Sequence, residues 1–315
     1  MVKLAPVRNL TIPALRRGAR IAVVSPASYP QPERLAQGNE ALSRLGFMPS
    51  VSPHALAKAH HLFAGTAASR LEDLHAAFID PNAAGIFCSR GGYGCNYLLE
   101  RLDLGLVREH PKPLIGYSDM TCMQTWLLDQ VGLISFHGPL VAGDFSSPDG
   151  VDEPSFLSAI GGERWSVGES SGLRMLRPGK ANGILYGGCI TLLAASLGTP
   201  YAARTEGKLL FLEDRDVRPY QLDRLLRQMV LAGKFEGVTG IIFGEMLDCV
   251  SPGQSPALLE EVILRVFDWF DGPIAFGLRS GHVSRRNVTL AFGIEAELDV
   301  VRTPVLSFLE RATEK

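Results

Sequence analysis

A chain of 315 residues, 46% hydrophobic and 20% charged, is long enough for two domains and for a core that needs no disulfide staples. A net charge of −2 without any basic run excludes the electrostatic footprint expected of a nucleic-acid binder or a protein drawn to anionic membranes. No apolar run reaches the ~18 residues of a membrane span, and Pro6, Pro13 and nearby charges interrupt the early apolar residues, so no signal peptide is expected.

The first predicted strand is Ala19 to Ser25 (ARIAVVS), a continuous apolar run of the kind buried on both faces of a parallel sheet. Helical spacing follows from Pro32 to Leu45 and stops at Gly46, where a terminating glycine belongs. A strand near Phe47–Val51, an amphipathic helix from Ala67 to Ile79 and a buried strand at 84–90 (AGIFCSR) come next. A helix is expected from Asn96, then the strand PLIGYS, then a helix from about Asp119 to Gln130. This alternation predicts an α/β fold with a mostly parallel sheet.

Turn-rich sequence between Ser146 and Glu169 suggests a boundary, so residues 1–165 are read as an N-terminal α/β domain and 166–315 as a smaller one. Strands are expected at ANGILYGG, GKLLFLED, GIIFGE, IAFG and VTLAFGIEAELD, with helices near Cys189–Leu197, Pro219–Ala232 and Ser255–Asp271. The second domain therefore reads as α+β and strand-rich, its end open to curling into a barrel-like sheet.

Five scattered cysteines without a CxxC pair read as reduced, buried thiols of a cytoplasmic protein. His60 and His61 are adjacent rather than one helical turn apart, and no HExxH occurs, so no metal site is expected.

Four local features could carry chemistry. Ser118 sits in GYSD, between a short strand and a helix. A serine is a weak nucleophile unless a base takes its proton, and a sharp strand-to-helix turn presents its Oγ beside unpaired helix N–H groups. Met120 stands where the nucleophile-elbow pattern has its second glycine, and a helix N-cap is the simpler reading of the serine alone. The glycine cluster CSRGGYG could turn main-chain N–H groups toward an anion or serve only as a tight turn. Glu213 and Asp214 end an apolar strand, where an acid can orient a histidine or join a solvated salt-bridge cluster. His282 follows a strand and a glycine on a loop. His137 (SFHGP) is the other plausible base, whereas His54, His60, His61, His75 and His110 lie in stretches with no acid placed to help.

Taken together and in order, GARIAVVSPAS, FCSRGGYG, LIGYSD, FHGP, LYGGCITLL, LFLED and GHV resemble the serine L,D-carboxypeptidases, a group with murein tetrapeptide carboxypeptidases and microcin C immunity proteins among its members. The resemblance covers nearly the whole chain. It implies Ser118 as nucleophile, His282 as general base and Glu213 as the acid that orients it, with the main-chain N–H groups of Gly92 and Asp119 as oxyanion hole. It also implies an α/β N-terminal domain beside a smaller C-terminal one, the triad assembled across their cleft, and no cofactor.

The expected activity is release of terminal D-alanine from a murein tetrapeptide by a cytoplasmic enzyme, with a homodimer as the usual family assembly. One alternative is an immunity-type hydrolase of peptidyl or acyl nucleotides, whose members carry an aromatic loop for the base. Here the segment between Glu213 and His282 offers Trp269, expected to pack within a helix. A second alternative is a non-catalytic nucleotide-binding module using the RGGYG turn. A bound terminal carboxylate needs charged or hydrogen-bonding partners. Arg285, Arg286 and the Gly91–Gly92 turn are the candidates singled out, with Arg90, Arg215 and Arg218 also near the triad in sequence.

Overall fold

The computed structural model describes residues 7–255 and 257–314. The first half alternates strand and helix: β1 (Arg20–Val24), α1 (Pro32–Arg44), β2 (Met48–Val51), α2 (Ala67–Ile79), β3 (Gly85–Cys88), α3 (Leu104–Glu109), β4 (Leu114–Gly116), α4 (Thr121–Val131), β5 (Ser135–His137) and α5 (Glu153–Ile160). The second half is β6 (Ser166–Gly168), β7 (Arg174–Arg177), β8 (Lys180–Cys189), α6 (Ile190–Ala195), β9 (Lys208–Glu213), α7 (Pro219–Leu231), β10 (Gly240–Gly244), α8 (Ala257–Val266), β11 (Ile274–Leu278), β12 (Leu290–Phe292), β13 (Glu295–Asp299) and β14 (Val305–Phe308).

Two mixed sheets result. The first runs β12-β5-β4-β3-β1-β2, with β1 to β5 parallel and β12 antiparallel at one edge. Its inner strands are short apolar runs buried on both faces, as a parallel sheet between helices requires. The second runs β6-β14-β13-β8-β9-β10-β11-β7. Its centre, β8 to β11, is parallel, and antiparallel strands flank it on both sides. β6 and β7 form opposite edges, so the sheet stays open rather than curling into a barrel. Buried apolar side chains of both halves form one continuous core.

Three local expectations are corrected. VTLAFGIEAELD is not one strand. Gly293, at φ +104°, turns the chain, so that β12 joins the first sheet and β13 the second. From Asn96 the chain makes two short 3-10 turns, Cys95–Tyr97 and Leu99–Arg101, and only then the helix α3. The turn-rich stretch before residue 169 contains α5, whose N-cap Asp152 accepts a hydrogen bond from the Ser155 N–H at 3.0 Å and whose second residue is Pro154. Residue 165 lies between α5 and β6, and the chain crosses back to the first sheet at β12.

Candidate active site

Ser118 follows β4 by two residues and opens a 3-10 turn, Ser118–Met120, that leads into α4. Its φ of +67° puts a non-glycine residue in the left-handed region, a conformation that costs energy and is kept where the surroundings impose it. The side chain of Asp119 points away from solvent into the turn. It is buried, and Oδ2 accepts the Cys95 N–H at 2.7 Å. Burial pushes this carboxyl up, against the hydrogen bonds from Cys95 and the nearby Arg70 charge that pull it down. Arg70, also buried, donates to the carbonyls of Pro26 (2.5 Å) and Gly94 (2.8 Å), tying the end of the glycine turn to the loop after β1.

That turn passes directly over Ser118. A Cβ placed at Gly91 would lie 2.7 Å from Ser118 Cβ and 2.9 Å from its Oγ, and one at Gly92 (φ +103°) would run into Ser28 Oγ. The Ser28 hydroxyl also accepts the Tyr93 N–H at 3.2 Å. Only glycines let main chain approach the serine this closely. No hydrogen bond among the described residues takes up the N–H of Gly92 or of Asp119.

Glu213 ends β9 and is fully buried. Its Oε2 lies 2.8 Å from His282 Nδ1 and accepts the His282 main-chain N–H at 3.0 Å. Burial would push Glu213 up, but the facing imidazole and these hydrogen bonds outweigh it and hold the carboxyl below its usual range. The same pairing raises His282 above its ordinary 6.5, against burial, which would lower it. Gly281, at φ +89°, makes the approach possible: a Cβ there would sit 2.6 Å from the Glu213 carboxyl carbon. Asn287 pins the loop by accepting the Gly281 N–H (3.0 Å) and donating to the Gly281 carbonyl and to Asp144 Oδ1, both at 3.1 Å. The Tyr117 ring stands edge-on to His282, centroids 5.1 Å apart.

Asp214 also lines the cleft but makes its hydrogen bonds away from His282. Its Oδ2 accepts the N–H and hydroxyl of Thr191 at 2.8 and 2.7 Å, bracing the start of α6. Thr121 of α4 accepts the Cys189 N–H at 3.0 Å, joining the helix behind Ser118 to the strand beside Glu213.

Ser118, His282, Gly91 and Gly92 line one cleft of about 550 Å³, with Tyr117 and the arginines Arg34, Arg90 and Arg215 also on its wall. Arg285 and Arg286 do not line it. Arg286 pairs with Asp149 at 2.8 Å on the surface. Arg218 also lies off the wall and caps α7. Trp269 is not in the helix core: it lies beyond the end of α8 and is 47% exposed, away from the cleft wall. His54 does have an acid, Asp73, at 2.8 Å, in a brace between loop and α2. Asp144, Asn287 and Ser280 belong to the site's supporting layer and were not singled out from sequence. The pairing of polar groups across about 140 residues leaves no local pattern to read.

Among the described residues no three His, Cys, Asp or Glu side chains are placed to hold a metal ion, and no helix is long and apolar enough to cross a membrane. The arrangement can perform nucleophilic acyl transfer: a half-buried serine that lines the cleft, a histidine held by a buried carboxylate and free main-chain donors.

The LD-carboxypeptidase N-terminal domain model matches residues 21–138, and the corresponding C-terminal domain model matches 182–298. The chain is 35% identical to a probable murein peptide carboxypeptidase of Bacillus subtilis, over 91% of this chain and 90% of that one. It is 32% identical to the murein tetrapeptide carboxypeptidase of Pseudomonas aeruginosa, covering 89% and 93%. Among solved structures, the muramoyltetrapeptide carboxypeptidase from Oxalobacter formigenes superposes with a TM-score of 0.81 at 25% identity, over 92% of this chain and 98% of that one. With both domain models matched in order and relatives aligned along nearly the full length, the chain belongs to the LD-carboxypeptidase family of serine peptidases.

Proposed function

We propose that the protein is a cytoplasmic serine L,D-carboxypeptidase that removes terminal D-alanine from murein tetrapeptide during cell-wall recycling, and that it works as a homodimer. The names of its relatives supply the substrate class. The observation that carries the reading is the Glu213–His282 pair, 2.8 Å apart, on the cleft that Ser118 also lines.

In this mechanism His282 Nδ1–H donates to Glu213 Oε2, which leaves Nε2 unprotonated to take the proton of Ser118 as Oγ attacks the scissile carbonyl. The tetrahedral intermediate places its oxyanion at the N–H groups of Gly92 and Asp119, where preorganised donors outside bulk water are most effective. His282 then passes the proton to the departing D-alanine amine. An acyl-enzyme on Ser118 remains, and water activated by the same imidazole releases it. Glu213 stays ionised and stabilises the imidazolium in both steps.

Incubation with L-Ala-γ-D-Glu-meso-diaminopimelate-D-Ala, followed by mass spectrometry, tests the reading. Free D-alanine and the tripeptide are the expected products. An untouched tetrapeptide would reject this substrate.

A further inference from the structure

The catalytic carboxylate has a second histidine. His137, at the end of β5, is fully buried and boxed by the rings of Tyr117 (5.7 Å between centroids), Phe211 (5.1 Å) and Phe292 (5.3 Å). Its Nδ1 lies 3.0 Å from Ser280 Oγ. Its Nε2 faces Glu213 Oε1 at 3.9 Å, and among the described residues neither of those two atoms has a hydrogen-bond partner. Two buried, unpartnered polar atoms aimed at one another are costly unless they pair.

We propose that His137 is a positioning residue for Glu213: Ser280 selects its neutral Nε2–H tautomer, and that N–H holds carboxylate oxygen Oε1 while His282 holds Oε2. A serine hydroxyl that donates to Nδ1 leaves the ring proton on Nε2, directed at Oε1. Closing from 3.9 Å to the ~2.9 Å of an N–H···O bond needs only a small ring shift. Burial keeps His137 neutral, lowered to about 4, so it supplies a dipole and not a second positive charge. The carboxylate is then fixed in plane at both oxygens, which determines where His282 presents Nε2.

The other ionisable groups facing Glu213 and His282 are Asp214, Arg215, Tyr117, Asp144, Cys189 and Cys249. None of them has a hydrogen bond to Glu213 Oε1. Loss of the His137 donor removes a partner from the ionised carboxylate. Glu213 then takes up a proton more readily, and what charge it keeps pulls harder on the His282 proton. Both effects move the acidic limb of kcat/KM to higher pH.

The inference rests on the triad reading, and its test separates the two. In the 15N-labelled enzyme at pH 7, imidazole nitrogen shifts of His137 should report the Nε2–H tautomer. An Nδ1–H tautomer or an imidazolium would overturn the inference, whatever the enzyme's activity. His137→Phe keeps the packing but removes the donor. We expect kcat to fall at least about tenfold, the size of one lost hydrogen bond to a charged group, with KM unchanged and the acidic limb displaced upward. A kcat loss with an unmoved limb would make His137 merely structural and reject the proposal. Should that variant fail to fold, Ser280→Ala, which only frees the tautomer, should shift the limb the same way by less, and an unmoved limb there counts equally against it. Turnover by Ser118→Ala near the wild-type rate would instead sink the triad, leaving the tautomer measurement standing.

Discussion

One oxygen of Glu213, Oε2, receives both the side chain and the main chain of His282, at 2.8 and 3.0 Å. His282 is thus fixed at two points, ring and main chain, before any substrate arrives. Glu213→Gln keeps the shape but not the charge that stabilises the imidazolium. We expect kcat to fall roughly 10³- to 10⁴-fold with KM little changed. Asp214→Asn should cost much less, because Asp214 braces Thr191 instead. If the Asp214 variant proved the slower enzyme, the two acids would have to exchange roles.

Ser118→Ala and His282→Ala should each lose several orders of magnitude in turnover, and the double variant should be about as slow as either, since the groups act as one unit. Steady-state rates of the three variants, with circular dichroism to confirm folding, check this. Additive losses would mean that the residues serve different steps.

The pH dependence has a definite sign. His282 must be neutral to accept the Ser118 proton, and Glu213 raises its affinity for protons above the ordinary 6.5. Activity should therefore fall as pH drops through a value above 6.5, with the limb in kcat/KM reporting the free enzyme. In Glu213→Gln, which removes the raising charge, the residual activity should show its limb at lower pH. A limb that stays in place would disconnect Glu213 from the base.

Recognition of the chain end can be read on the substrate. With Arg34, Arg90 and Arg215 on the cleft wall, amidation of the terminal D-alanine should lower kcat/KM about ten- to a hundredfold, as loss of a charge-assisted hydrogen bond does. Arg90→Ala should narrow the gap between acid and amide, while Arg286→Ala, whose partner is Asp149, should leave it open. Equal cleavage of acid and amide by the wild-type enzyme would mean that the cleft has no carboxylate pocket.

Gly281→Ala should damage stability and rate together. It forces a side chain to φ +89°, at a cost of about 1–2 kcal/mol, and presses a methyl 2.6 Å from the Glu213 carboxyl carbon. A lower Tm and a reduced kcat are expected. A wild-type rate would show that the loop can relax without moving His282.

Most of the sheet architecture was legible because apolar runs such as Ile21–Val24 and Leu209–Leu212 have one stable destination, the interior of a parallel sheet. Ser118, Glu213 and His282 were candidates on local sequence, but an N-cap, a salt-bridge cluster and a polar loop explained them equally simply, and only the ordered family motifs assigned them their roles. Their mutual geometry was not legible. It depends on Gly281 letting a loop close on a carboxylate 68 positions earlier, which leaves no periodic trace. The split of 288–299 into two strands was hidden for a similar reason: β-propensity is continuous across Gly293, and only the turn there sends the halves to different sheets.

That split has a consequence for the molecule's history and handling. Because β12 pairs with β5, a fragment ending near residue 165 would leave β5 as a bare edge, ready to recruit a strand from a neighbouring molecule. A fragment beginning there would carry an apolar strand, Leu290–Phe292, with no sheet to join. The two halves are therefore stitched to each other, and separate expression should yield aggregates, recoverable as soluble protein only when both fragments are supplied together. Recombination between relatives faces the same constraint: a swapped C-terminal half must bring a β12 that fits the host's β5.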